Sequence, residues 1–439
     1  MAGIANIHKI PELRRRLLFT LVMIVVYRIC AHIPVPGVDS AVLIEALREQ
    51  AGTVFGLLNT FTGGAFFRMS IIGLGIMPYI TASIILQLLG VVIPYLEQLQ
   101  KEGELGRKKI NQYTRYLTVA LSAGQAIATS AWLTRIHGPN GAPVVPEPGL
   151  LFTITTMFSL AAGTIFLMWQ GELITERGIG NGISLIIFFG IIDGIPSNLA
   201  NTLNLWQTGQ LSAFEILGLV ILMIAVIAGI IYVERAHRRI PVQYPGRTIG
   251  RKIYKGVQTH LPLRINTSGV IPPIFASSLL SFPMTFSQFF PIENPVFDWL
   301  KSALSPLSWE YNTLYGILII FFAFFYTAVV FNPIDVAENL KRHGGYIPGI
   351  RPGQNTADYI DRVLTRITTV GALYLAVVCI LPSLLINAAG VSFYFGGTSL
   401  LIVVGVAMDT AQQIEAHLLA RSYDGFLGPK GPKMRGRKR

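Results

Sequence analysis

Charge is what this chain has least of. Only 13% of its 439 residues are Asp, Glu, Lys or Arg, about half of the roughly 25% usual in soluble domains. Combined with 52% hydrophobic residues and a mean hydropathy of +0.54, that shortage excludes an ordinary soluble enzyme, a disordered chain and a coiled coil. Cysteine is scarce too. Cys30 and Cys379 lie in separate apolar stretches without metal-ligand spacing, so both read as buried small hydrophobes. The chain has no Gly-rich phosphate loop ending in Lys-Ser or Lys-Thr, which argues against ATP hydrolysis. Gly178, Gly180 and Gly182 follow no strand and open an apolar run, so they read as close helix packing. With no Ser, His and Asp arrangement on a nucleophile turn either, the chain reads as a conduit, not an enzyme, and needs no cofactor.

What it has is long apolar runs. A spanning helix needs about 20 mostly apolar residues, and ten stretches meet that length or come near it: 17–33, 71–96, 116–134, 151–169, 180–195, 214–233, 269–290, 314–331, 367–386 and 398–418. The run after Arg14, Arg15 and Arg16 is too long for a signal-peptide core, and no small-residue cleavage site follows it, so it reads as a span. Of the 35 Lys and Arg, thirty fall before the first span, in every second loop and in the tail, and four fall in the intervening loops. That asymmetry places both termini and the loops 234–268 and 332–366 in the cytoplasm. Arg28, inside the first span, must snorkel or find a partner. An odd number of spans per half makes any internal duplication an inverted one, with the division near a polar loop at 198–212.

Acids inside the spans are few. Asp409 stands in the tenth, with Glu415 and His417 nearer its end, and Asp193 closes the fifth. Asp409 reads either as a structural acid facing the bundle or as the coupling carboxylate of a proton-coupled solute transporter.

Several features keep two readings each. Residues 39–50 form an amphipathic surface helix. Residues 53–67 (TVFGLLNTFTGGAFF) are apolar, too short to span and interrupted by Gly56, Asn59, Gly63 and Gly64; they either fill a cavity or lie flat at the interface. Ile76, Ile80 and Ile84, and likewise Ile183 and Ile187, recur every fourth residue, as lipid-facing or helix-packing surface or as a water-excluding constriction. Pro272 and Pro273 imply a bent seventh span, either a hinge or an ordinary kink. The loop 234–268 holds eight cations against one carboxylate, which suits anionic lipids or nucleic-acid phosphate. The tail 430–439 (KGPKMRGRKR) shares that character.

A resemblance then emerges from 75–87 (GIMPYITASIILQ), 101–116 (KEGELGRKKINQYTRY), 175–184 (TERGIGNGIS), 266–278 (NTSGVIPPIFASS), 331–333 (FNP), 346–353 (YIPGIRPG) and 393–403 (FYFGGTSLLIV). In that order, over nearly the whole chain, these segments resemble the SecY family, the large subunits of the general protein-conducting channel. The resemblance implies an all-α membrane protein of ten transmembrane helices in two inverted halves of five, 1–200 and 201–418, followed by a basic tail at 419–439. It implies a short re-entrant plug helix at 57–67, carried by Leu57, Leu58, Phe61, Gly64 and Phe67. A pore ring falls on Ile76, Ile80, Ile183, Ile187, Ile274 and Ile402, and a lateral gate between the second and seventh spans on Ser83, Gln87, Pro272, Ser277 and Ser278. Docking of the ATPase SecA or a translating ribosome falls on Arg251, Lys252 and Arg351. Preprotein signal sequences, the small subunits SecE and SecG and anionic lipids are the other implied partners, in the bacterial inner membrane. The tip Tyr244-Pro245-Gly246-Arg247 departs from the family's small residue followed by paired basics.

Overall fold

A computed structural model describes residues 11–48, 54–138, 141–209, 212–245, 247–249, 252–254, 258–289, 308–389 and 397–427. The chain divides into two compact units, one of residues 1–199, 288–291 and 406–439, the other of 200–287 and 292–405. Helix occurs in all ten apolar stretches. Among the described residues, five helical stretches are long and apolar enough to cross a membrane: Leu150–Arg177, Gly182–Asn204, Ala213–Arg235, Trp309–Arg342 and Gln354–Leu384. A sixth arises if the bent pair Met77–Val92 and Pro94–Gln100 counts as one.

In the first unit, α1 (Pro11–Cys30) stops three residues short of the expected end, just ahead of Pro34 and Pro36. The short α2 (Ser40–Arg48) and α3 (Val54–Phe61) follow. Helix α4 (Met77–Val92) begins six residues later than expected, because 71–76 form turns with Gly75 at φ +60°. Pro78 then sits in the first turn, where its missing N–H costs no helical bond. At the other end Pro94 holds Ile93 extended, and α5 (Pro94–Lys101) leaves at 105°.

Helix α6 (Glu104–Leu133) starts twelve residues before the expected span, since Glu104 to Arg115 favours helix despite its charge. It packs along α7 (Leu150–Arg177). Thr118, Ser122, Ala126 and Thr129 of α6 and Leu160, Gly163 and Thr164 of α7 are all buried small or apolar residues, which lets backbones approach closely. Buried hydroxyls return to their own helix, as Thr118 does to the Thr114 carbonyl at 2.7 Å. Helix α8 (Gly182–Gln207) continues through Pro196. The polar loop expected at 198–212 is thus helical as far as Gln207, and Gly209, at φ +73°, supplies the left-handed stop.

The second unit holds α9 (Ala213–Arg235), opened by a reciprocal capping box between Ser212 and Glu215. The basic loop that follows is not irregular. Strands β1 (His237–Gln243) and β4 (Gln258–Arg264) pair antiparallel as a hairpin, and β2 (Arg247–Ile249) pairs antiparallel with β3 (Lys252–Tyr254) in a second two-stranded sheet. Period-2 alternation explains the hairpin's seat: Ile240, Val242 and Leu263 turn inward, while Arg239 and Pro241 stay exposed. The inward face joins Ile347, Ile360 and Leu340 from the neighbouring loop in a small core. Gln243 and Tyr346 exchange both backbone bonds at 2.9 Å. That core rests on few residues, so Ile240→Asp, which buries a carboxylate, should cost roughly 3 kcal/mol or more. Faster tryptic cleavage near Arg238 and Arg264 with intact overall helicity is expected; protease resistance equal to wild type would refute the packing assignment.

Helix α10 (Ile271–Phe289) corrects the expectation of a bend at its proline pair. Pro272 and Pro273 occupy its first turn, where no intrahelical acceptor awaits their N–H groups, so they start the helix instead of kinking it. Helices α11 (Trp309–Val330), α12 (Pro333–Arg342), α13 (Gln354–Ala389) and α14 (Gly397–Leu427) complete the chain, with α13 packed against both α11 and α12.

Candidate functional site

The segment 54–69 is packed into the first unit and does not lie flat on its surface. Thr62, Ala65, Phe66 and Met69 are buried, and Phe66 and Met69 join Leu43, Leu47, Leu133 and Leu160 in one core. Leu43 and Leu47 show that the amphipathic α2 turns its apolar face inward. Phe66 also stacks on Trp132 at 6.0 Å. The C-terminal end of the segment is therefore anchored by apolar packing.

Its middle is held by polar groups. The chain turns at Gly63 and Gly64, with φ of +63° and +79°, values that glycine adopts without strain. A Cβ on Gly63 would come within 3.0 Å of the Gly190 Cα on α8, so only glycine fits this approach. From α1, the Tyr27 hydroxyl donates to the Thr62 carbonyl at 3.0 Å and Arg28 Nη1 donates to the Gly63 carbonyl at 3.4 Å. Arg28 Nη2 pairs with Asp193 Oδ1 of α8. Arg28 thus has the partner its position demanded. Beside these groups lies a cavity of about 570 Å³ lined by Asn59, Thr60, Gly63, Arg68, Asp193 and Ser197, among others.

Of the expected plug residues, Leu58 and Phe67 are half-buried against the core. Phe61 ends α3 and Gly64 lies in the turn; Leu57 is on α3. Asn59 Oδ1 accepts from the Phe67 N–H at 3.0 Å, closing the segment on itself. Tyr27 and the link between Arg28 and Asp193 were not read as parts of this site, and Gly63 was read only as a break in the segment. Arg28 carried a signal, but nothing in the sequence ties it to a residue 165 positions away.

The six isoleucines are shared between the units. Ile76 sits at the N-cap of α4 and Ile80 one turn on, both buried, as is Ile84 on the same stripe. Ile183 is half-buried beside Gly171 and Ile187 is buried on α8. In the second unit Ile274 is buried on α10 and Ile402 fully buried on α14. Burial of Ile76, Ile80 and Ile84 excludes a lipid-facing stripe.

Among the gate residues, Gln87 Nε2 donates to Ser83 Oγ at 3.2 Å, while Gln87 Oε1 is buried without a hydrogen-bond partner. Ser277 Oγ donates to the Ile274 carbonyl at 3.0 Å and Ser278 is buried. The entry to α10 is tied down by Asn266, whose Nδ2 donates to Glu234 Oε1 at 2.6 Å and to the Gly269 carbonyl at 3.0 Å. For docking, Arg351 is exposed and Lys252 lies on β3, whereas Arg251 falls outside the described residues. Tyr244 of the divergent tip lies with its ring against Gly345. Asp409 is exposed on α14.

A two-unit helical membrane protein with a buried broken segment just ahead of its second apolar stretch belongs to a known class. Its fold matches a solved structure described as a protein conducting channel, with a TM-score of 0.65, 18% identity and coverage of 98% of this chain and 99% of that one. It also matches Sec61 in the canine ribosome-channel complex from the endoplasmic reticulum, with a TM-score of 0.61, 19% identity and coverage of 98% and 99%. The class is thus that of multi-pass membrane proteins with the channel fold. The SecY family model matches residues 70–411. Protein translocase subunit SecY of Escherichia coli (strain K12) is 49% identical over 429 residues, 97% of this chain and 96% of the relative. The subunit of that description from Aquifex aeolicus (strain VF5) is 45% identical over 420 residues, 95% and 97% of the two chains. The chain belongs to the SecY family.

Proposed function

We propose that this chain is the channel subunit of a bacterial protein translocase, passing unfolded preproteins across the inner membrane and releasing apolar segments sideways into lipid. The seated segment 54–69 carries the reading, being an apolar element too short to span yet held inside the protein. A matching solved structure is described as a SecY protein whose plug domain stabilizes the closed state of the translocation channel and maintains a membrane seal; it covers 98% of this chain with a TM-score of 0.66.

In this mechanism all ten apolar helices span, in halves 1–200 and 201–418, and the basic side with both termini and the tail 419–439 faces the cytoplasm. A signal sequence wedges between α4 and α10 at Ser83, Gln87, Pro272, Ser277 and Ser278, and the unpaired Gln87 Oε1 offers an acceptor there. Leu57, Leu58, Phe61, Gly64 and Phe67 then withdraw as the plug. The polypeptide threads Ile76, Ile80, Ile183, Ile187, Ile274 and Ile402, whose branched apolar side chains disfavour continuous water around it. Arg251, Lys252 and Arg351 receive the ATPase SecA or a ribosome, with SecE, SecG and anionic lipids as membrane partners. Energy comes from SecA or chain elongation.

The test is translocation in proteoliposomes that also contain the small subunits. Import of an unfolded preprotein requiring added SecA and ATP is expected, unchanged by Asp409→Asn. Proton-coupled solute uptake abolished by Asp409→Asn would instead support the transporter, and failure to pass any preprotein would overturn the channel.

A further inference from the structure

Arg28 joins two things at once, and the arrangement has a direction. One arm of its guanidinium reaches the Gly63 carbonyl of the segment 54–69, and the other holds Asp193 on α8. Tyr27, the preceding residue, donates to the adjacent Thr62 carbonyl, so α1 grips two successive peptide groups of the turn. On the far side the Gly63 backbone abuts Gly190, one helical turn before Asp193. Leaving this seat would break the bonds to Thr62 and Gly63, whereas the pair of Arg28 and Asp193 joins α1 to α8 and need not break at all. Asp193 therefore has a role beyond neutralising a cation: it fixes a long, flexible side chain so that its free arm points at the Gly63 carbonyl.

We propose that Asp193 and Arg28 form an electrostatic latch that keeps the segment 54–69 seated, with Asp193 as the positioning residue and the Gly63 carbonyl as the bolt. The proposal rests on the channel reading given above. Without the carboxylate, Arg28 is free to turn toward water, and the seat loses a charge-assisted hydrogen bond while every apolar contact of Phe66 and Met69 remains. The resting channel then opens more often, and signal sequences too weak to open it alone suffice.

The experiment uses the full chain assembled with its small subunits, carrying Asp193→Asn or the charge-preserving Asp193→Glu. Two quantities are read, the resting ion conductance in planar bilayers and SecA-driven import of a preprotein with a defective signal sequence. For Asp193→Asn both should rise about tenfold, the order expected for loss of one charge-assisted bond, while import of the preprotein with an intact signal is retained. Asp193→Glu should stay near wild type in both. Tyr27→Phe, which removes the neighbouring bond without touching the ion pair, should move both readings the same way by a smaller factor. Wild-type conductance and stringency in Asp193→Asn, with intact preprotein still imported, would overturn the latch and leave the channel reading standing. Equal effects from Asp193→Asn and Asp193→Glu would also overturn it, since loss of shape would then explain the change. If the unmodified chain imports no preprotein, it is the channel reading that fails.

Discussion

Cysteines placed at Thr60 and Ser197 and bridged by a cleavable bifunctional maleimide should stop preprotein export, and cleaving the bridge should restore it. Both positions line the same cavity of about 570 Å³, one on α3 in the mobile part of the plug reading and the other on α8. Their hydroxyls bond back to their own helices, Thr60 to the Gly56 carbonyl at 2.8 Å and Ser197 to the Gly194 carbonyl at 2.9 Å, so the substitutions disturb little. The background needs Cys30→Ala and Cys379→Ala, because those are the native thiols. A covalent bridge removes the unseated state from the ensemble instead of biasing it, so the loss should exceed about tenfold and approach completeness with crosslinking yield. Each single cysteine treated alike should export normally. Free export through a channel whose bridge has been verified would contradict the plug assignment outright.

The sequence made some layers of this protein legible and hid others, for physical reasons. Apolar length is a property of composition within a window, and helix occurs wherever it pointed. Boundaries were set by turn chemistry that such windows blur. Gly75 and Pro78 delay α4, Pro94 ends it, and α8 runs twelve residues beyond the expected end before Gly209 stops it. The hairpin went unread because β1 has only two inward apolar residues, Ile240 and Val242, amid cations whose charge dominates any average. Its inward face is completed by Ile347 and Ile360, about a hundred residues later, which no local pattern reveals. The proline pair of α10 was read from its interior penalty, although the same residues are favoured in a first turn.

At the candidate site, residue types were visible and partners were not. An arginine inside an apolar span announces that something must pair with it. That the partner is Asp193, and that the same guanidinium reaches a backbone carbonyl of 54–69, depends on three elements meeting in space. Gly63 could be read as a breaker, yet its purpose, contact with the backbone of Gly190, belongs to packing. The six isoleucines came from family resemblance, since a stripe at every fourth residue is equally what buried packing produces.

That last ambiguity sets the second large effect. Ile80→Asn and Ile402→Asn should each raise resting ion conductance and admit preproteins with defective signals, while import of intact preproteins continues. Ile402 is fully buried and Ile80 only 6% exposed, so each exchange removes roughly 1.5–3 kcal/mol of apolar burial and adds an amide that recruits water to a constriction kept closed by dryness. A closed state weakened by that amount shifts its balance with the open state about ten- to a hundredfold. Ile84 supplies the control that separates the two meanings of the stripe. It is buried to 3% on the same face of α4, one turn beyond Ile80, and is no member of the ring. If Ile80 acts by lining a pore, Ile84→Asn should lower thermal stability and yield without loosening signal stringency. If all three variants lose stability alike and none changes conductance, the isoleucines are packing and the constriction lies elsewhere. A ring member must leak when made polar, whereas a core residue must unfold.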